Sequence, residues 1–305
     1  MQLPFLPYND WTETRITLHL ILQIIGKVRL AASPRKNHWW GITQYVSSKG
    51  FSTHSIPLSD GLNTFEITFN IHKKAVQFDS STGETIELKL KDGYSVAAFY
   101  KDTMTILHNW GLNPQFIHRP LDMGIDKNFD QITEYHHYDW QSIHTFWQMM
   151  LWNDGVFKTF SGRSYSKTCP VHIYWHHMDL TVTRFSGKPA PPMNPNARIL
   201  EKDAYSHEVI SFGFWAGDDN MTEPAYYSYT YPSPDGLDQE KLWPRQSFWI
   251  EANGSPMAIL KYADVEASSN PTQMVLDFLE SSYIAGAKLA GWDIEALTVP
   301  ALAEL

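Results

Sequence analysis

Between Val171 and Pro192 the chain crowds His172, His176, His177, Asp179 and Arg184 among aromatic and β-branched residues, then enters a loop rich in glycine and proline. An imidazole can act as general base, a carboxylate can orient it, and a guanidinium can clamp an anion. Read as a strand, Val171–Trp175 puts His172 and Tyr174 on one face and Ile173 and Trp175 on the other. On a straight strand His172 and His176 would stand roughly 13 Å apart, too far to share one metal ion. They could converge only if the chain turned at His176–Met178, so a metal here is the lesser reading and no cofactor is named.

Other candidates lie outside that segment. His207-Glu208 suggests a zinc protease, but the second histidine such a motif needs would fall at Ser211, in a strand-like rather than helical stretch. Glu208 shares a strand face with Ile210, Phe212 and Phe214, so its carboxylate must be paired or protonated, and Arg184 is the expected partner. A buried Arg–Glu bridge tying two strands is the plain structural role for that pair, and it outweighs a catalytic one. His38 and Trp40 open an aromatic stretch, and Trp175 and Tyr227 offer further wall residues with a polar tip. Cys169 stands alone beside Pro170, which excludes an internal disulfide and reads as a small buried hydrophobe rather than a nucleophile. No nucleophile elbow, Walker loop or dinucleotide fingerprint is present.

These residues need a scaffold, and the chain has enough material for one. Its 305 residues, 43% hydrophobic and 19% charged, suit a globular protein of one large or two smaller domains. A net charge of −9 without a Lys/Arg cluster disfavours nucleic acid and anionic membrane as partners. The longest early apolar run, Leu20–Ile25, is too short to span a bilayer, and the expectation is a soluble, cytoplasmic protein. In that compartment the sequon Asn220-Met221-Thr222 carries no meaning.

Asp10 with Glu13 predicts a capped helix from Trp11, with Trp11, Thr14, Leu18, Ile21, Leu22, Ile25 and Val28 as its buried stripe. Strands are expected at Trp39–Val46, Phe65–Ile71, Val76–Phe78 and Ile86–Leu90, followed by a helix over Ser95–Trp110. After a linker-like stretch the pattern restarts. Asp139 caps a second helix, six strand candidates run from Val171 to Tyr262, and Pro271–Gly291 closes the chain as a helix. Asp10-Trp11 matches Asp139-Trp140, and His38 with Phe51-Ser52 matches His172 with Phe185-Ser186 at the same spacing. This predicts an α+β fold of two tandem halves, residues 1–125 and 126–305, each a mainly antiparallel sheet flanked by helices. An internal duplication, with His38 and His172 as counterparts, would account for it.

The segments LPYNDW, NHWW, HIYWHHMDLTVTRFSGKPAPP, AYSHEVISFGFWAG and EPAYYSYTYP together resemble the family known as domain of unknown function 5996, from about Leu6 to Trp292. The resemblance implies a soluble, mostly prokaryotic protein and supplies no reaction. His172, Trp175, Asp179, Arg184-Phe185-Ser186-Gly187 and Ser206-His207-Glu208 match the family pattern. His176-His177 replaces small turn residues, which argues against a metal site built on that pair.

The functional expectation is a small-molecule-binding protein or enzyme with a polar pocket between the halves. His172, Asp179, His207 and Glu208 would be its catalytic groups, and Arg184, His38, Trp40, Trp175 and Tyr227 would bind the ligand, with Arg184 taking an anion. The alternative is a non-catalytic interaction protein with an aromatic docking surface and a buried salt-bridge network. A concave cavity holding these groups favours the first; a flat exposed aromatic patch favours the second. Oligomeric state is left open.

Overall fold

The computed structural model describes residues 2–218, 221–300 and 303; the sequon residue Asn220 lies outside them. A 3-10 turn, Tyr8–Trp11, leads into helix α1 (Thr12–Ala32). The first sheet follows, with β1 (Tyr45–Ser47), β2 (Gly50–Ser52), β3 (Ile56–Pro57), β4 (Thr64–Asn70), β5 (Ala75–Ser80) and β6 (Thr85–Lys89). Helices α2 (Val96–Asn109) and α3 (Trp140–Ser161) come next. The second sheet comprises β7 (His172–Tyr174), β8 (Asp179–Pro189), β9 (His207–Trp215), β10 (Ala225–Tyr231), β11 (Phe248–Ala252) and β12 (Ser255–Lys261), with α4 (Ile199–Ala204) between β8 and β9. Helices α5 (Tyr262–Glu266), α6 (Pro271–Leu289) and α7 (Ile294–Leu297) end the chain.

The fold is α+β, with two antiparallel six-stranded sheets. The first runs β1-β2-β4-β5-β6 with β3 also on β4, and the second runs β11-β12-β10-β9-β8-β7. Their edges meet through one antiparallel bridge, where Gln44 and Ile173 exchange backbone hydrogen bonds of 2.9 and 2.7 Å. Edge strands present unpaired backbone groups, and this bridge satisfies part of that need from within the chain. One hydrophobic core then runs through both halves. Helix α3 packs on β1, β8 and α6, while α6 covers β9 and β10. No helix among the described residues is long and apolar enough to cross a membrane.

Local chemistry explains where these elements begin. Asp139 caps α3, its carboxylate accepting from the Gln141 amide at 3.0 Å. Asp10 does not cap α1: it falls inside the 3-10 turn, and α1 starts without a side-chain cap. Trp39–Val46 is not a strand over its length. His38 and Trp39 both adopt left-handed backbone, φ 55° and 60°, and the chain forms a 3-10 turn at Asn37–Trp39 before reaching β1. His38 therefore lies in a turn and His172 opens a strand.

Helix α1 is buried on every side between Leu20 and Arg29, and Gly26 makes that possible. A β-carbon there would sit 2.1 Å from Cδ1 of Trp175, so the indole packs directly on helix backbone. Alanine in place of a mid-helix glycine ordinarily gains up to about 1 kcal/mol. Here overpacking dominates, and Gly26→Ala should cost about 2 kcal/mol net. Urea denaturation checks this; a variant more stable than the parent would mean that the indole does not lie on Gly26.

Candidate functional site

A cavity of about 1560 Å³ lies between α1, the 115–125 segment and one face of the second sheet. Alternation along β8 presents Asp179, Thr181, Thr183 and Phe185 to it, while Leu180, Val182 and Arg184 face the other way. Register adds Ser211 opposite Thr183 and Tyr229 opposite Ser211. Thr183 and Ser211 share a hydrogen bond of 3.1 Å across the strands, and Tyr229 meets Tyr205 at 3.2 Å. The result is a hydroxyl-lined floor between aromatic walls that include Trp40, Tyr174, Trp175 and Trp215.

Asp179 organises this floor. Tyr227 donates its hydroxyl to Asp179 Oδ2 at 2.5 Å, and Thr181 donates to the same oxygen at 2.9 Å. The Tyr227 phenol reaches β8 by crossing Gly213, where a β-carbon would meet its Cζ at 2.2 Å. The glycine within Ser211-Phe212-Gly213-Phe214 is thus required by the site and was a readable signal. Burial first, and then the Asp179 charge, raise the Tyr227 hydroxyl well above its ordinary pKa, so it remains a proton donor. Asp179 is itself buried, and its Oδ1 has no partner in the protein.

The predicted site residues separate into three groups. Asp179, His38, Trp40, Trp175 and Tyr227 all line the cavity. His38 donates from Nδ1 to the Ala204 carbonyl (3.1 Å) and accepts at Nε2 from the Lys167 ammonium (2.7 Å). Burial, and then the Lys167 and His207 charges, lower its pKa against the opposing pull of that carbonyl. Both nitrogens are therefore occupied. His207 packs edge-on to the His38 ring at 5.6 Å, joining residues from the two halves beside the cavity.

His172 is fully buried behind the Tyr174 ring and does not line the cavity. Neither of its nitrogens finds a partner at hydrogen-bond geometry. Burial lowers its pKa from 6.5 to about 3; Asp179 and the Pro170 carbonyl pull the other way without reversing this.

Arg184 and Glu208 correct the expectation of a clamp and of an Arg–Glu pair. Arg184 points away from the cavity, bonds the Phe160 carbonyl at 2.7 Å, and faces Glu280 of α6 at 3.5 Å. Arg184 lies opposite Ile210, and the register shifts between Phe185 and Pro189; no ion pair joins it to Glu208, and Glu280 of α6 supplies the carboxylate instead. Glu208 is half-buried with Oε2 unpartnered. Sequence reasoning missed Thr181, Gly213, Tyr174 and His19. The last donates from Nε2 to the carbonyls of Trp175 (3.1 Å) and His176 (3.0 Å), fixing the turn after β7.

That turn, with Met178 at φ 57°, folds His176 and His177 back beside the cavity. Among the described residues no group of three His, Cys, Asp or Glu side chains is placed to hold a metal ion. Cys169 is buried, its thiol pushed up to about 12 by burial, which leaves it unreactive at neutral pH. A family model described as a family of unknown function (DUF5996) matches residues 3–299. No curated protein and no solved structure matches the chain.

Proposed function

The chain belongs to the family of unknown function DUF5996, and from that starting point we propose that it binds a small organic molecule in the cavity between its halves. The carrying observation is Asp179: one oxygen is saturated by Tyr227 and Thr181, and the other is buried with no donor. A carboxylate oxygen in that state is costly until a donor reaches it. The ligand group that fits is therefore a hydroxyl or an ammonium, with a flat or apolar face to lie against the Trp and Tyr walls. The cavity exceeds the volume a small metabolite needs, so the ligand fills the part over the Asp179 floor.

Binding is better supported than histidine-based catalysis. His38 has both nitrogens bonded, His172 is sealed off, and burial first lowers His176 to about 4, too weak a base at neutral pH. The aromatic residues of the candidate site gather on cavity walls, which favours ligand binding over a flat docking surface.

A thermal-shift screen of polyhydroxylated and amine-bearing metabolites should give a stabilising hit. Asp179→Asn should then weaken that hit by roughly 10- to 100-fold, the worth of a charge-assisted hydrogen bond. A hit bound equally well by the Asn variant would remove Asp179 from the site and overturn the reading.

A further inference from the structure

Lys27 belongs to the set Thr12, Arg15, Ile16, His19, Lys27 and Leu30 with which α1 lines the cavity; the other cation, Arg15, lies 3.8 Å over the Tyr8 ring. Only 6% of its surface is exposed, and no acceptor or carboxylate meets its ammonium among the described residues. The charge that acts on it is that of Arg119, which has the same sign and is itself held by Asp126 at 3.0 Å. The rings of Trp175 and Phe129 lie 5.6 and 6.0 Å away, at the outer edge of useful cation–π range. The nitrogen keeps an open side, towards the cavity that the residue lines. Burial, and then Arg119, lower the pKa of this amine, which is the direction expected of an uncompensated cation.

An unpaired ammonium on a cavity wall, at the end of a largely buried side chain, is placed to take an anion from the cavity itself. We propose that Lys27 is the anion-binding point of this cavity, taking a carboxylate or phosphate of the same ligand whose donor group meets Asp179. The proposal rests on the ligand-binding reading above and extends it to the ligand class: a molecule with an anionic group at one end and a hydroxyl or ammonium at the other. Trp175 links the two points, since its indole lies by Lys27 and its chain neighbour Tyr174 pairs with Asp179 across β7 and β8. The anion recognition anticipated at Arg184 is in this way supplied from α1.

Inorganic phosphate and malonate are the probes, added separately to the full chain while Tm is followed. One or both should raise Tm by a few degrees, and which one does so tells a phosphoryl ligand from a carboxylate. Lys27→Met should melt no lower than the parent without anion, because it removes an unpaired charge and keeps the packing, and should lose the response. Lys27→Arg should keep it. Asp179→Asn should also keep it, so a metabolite hit that the Asn variant binds as the parent does, with the anion response intact and dependent on Lys27, marks a failure confined to Asp179. An equal response in parent and Lys27→Met, or no response in the parent, overturns the proposal. Should the Met variant not fold, phosphate should slow acylation of Lys27 in the parent, read by mass spectrometry; unchanged labelling overturns the proposal as well.

Discussion

Lowering the pH from 6.5 to 4.5 should cost the folded state on the order of 5 kcal/mol, from His19 and His172 alone. Burial lowers each of these imidazoles to about 3, and for His19 it does so against two carbonyl hydrogen bonds that favour the proton. In the unfolded chain both accept a proton below about pH 6.5. The unfolded state therefore gains protons that the fold refuses. Stability is full above pH 6.5, and each site removes about 1.4 kcal/mol per pH unit on the way down towards 3. His176, lowered to about 4, acts in the same direction. A loss of this size is comparable to the total stability of many domains, roughly 5–15 kcal/mol. The urea midpoint at pH 6.5 and 4.5 measures it, and His172→Phe should remove close to half of the pH dependence. A midpoint that stays constant across this range would mean that the two rings are protonated in the fold.

The pH response depends on tertiary closure, and so did most of what the sequence left unread. Strand alternation in Phe65–Ile71 locates β4 to within a residue at each end, although the structure buries both of its faces from Ile67 on, Thr68 and Asn70 included, and the six C-terminal strand segments fall within a few residues of their strands. Asp139 was legible as a cap because its carboxylate directly precedes the helix; Asp10 was not, because an extra 3-10 turn moves the helix start past it. The same parity argument separates Arg184 from Asp179: residues 179, 181, 183 and 185 share a face that 184 cannot join. That clue lay in the sequence and was outweighed by proximity along the chain. Lys27 carried no such clue. As one lysine on a helix it reads as a solvated charge, and only the approach of Phe129 and Trp175 from distant segments buries it.

Arg184→Ala should lower stability by about 3–5 kcal/mol, the cost of dismantling a buried charge that has been solvated by its surroundings. The guanidinium is 2% exposed, lies 3.6 Å over the Phe160 ring and 4.5 Å from the Tyr283 ring, and donates to the Phe160 carbonyl at 2.7 Å. Alanine leaves a void between two aromatic rings and takes away one of the donors to the Phe160 carbonyl, which keeps the Arg163 amide at 3.1 Å. It does not strand Glu280, which keeps Arg163 at 3.2 Å. Arg184→Met should lose roughly half as much, because its chain refills the slot and brings no charge that needs pairing. Both variants, where folded, should bind the cavity ligand as the parent does, since Arg184 lies on the far face of the sheet from Asp179. Chemical denaturation and ligand titration on the same samples decide it. A variant with parental stability and no ligand binding would restore Arg184 as a clamp, whereas the expected pattern makes it the tie that holds α3 and α6 to the sheet bearing the cavity floor.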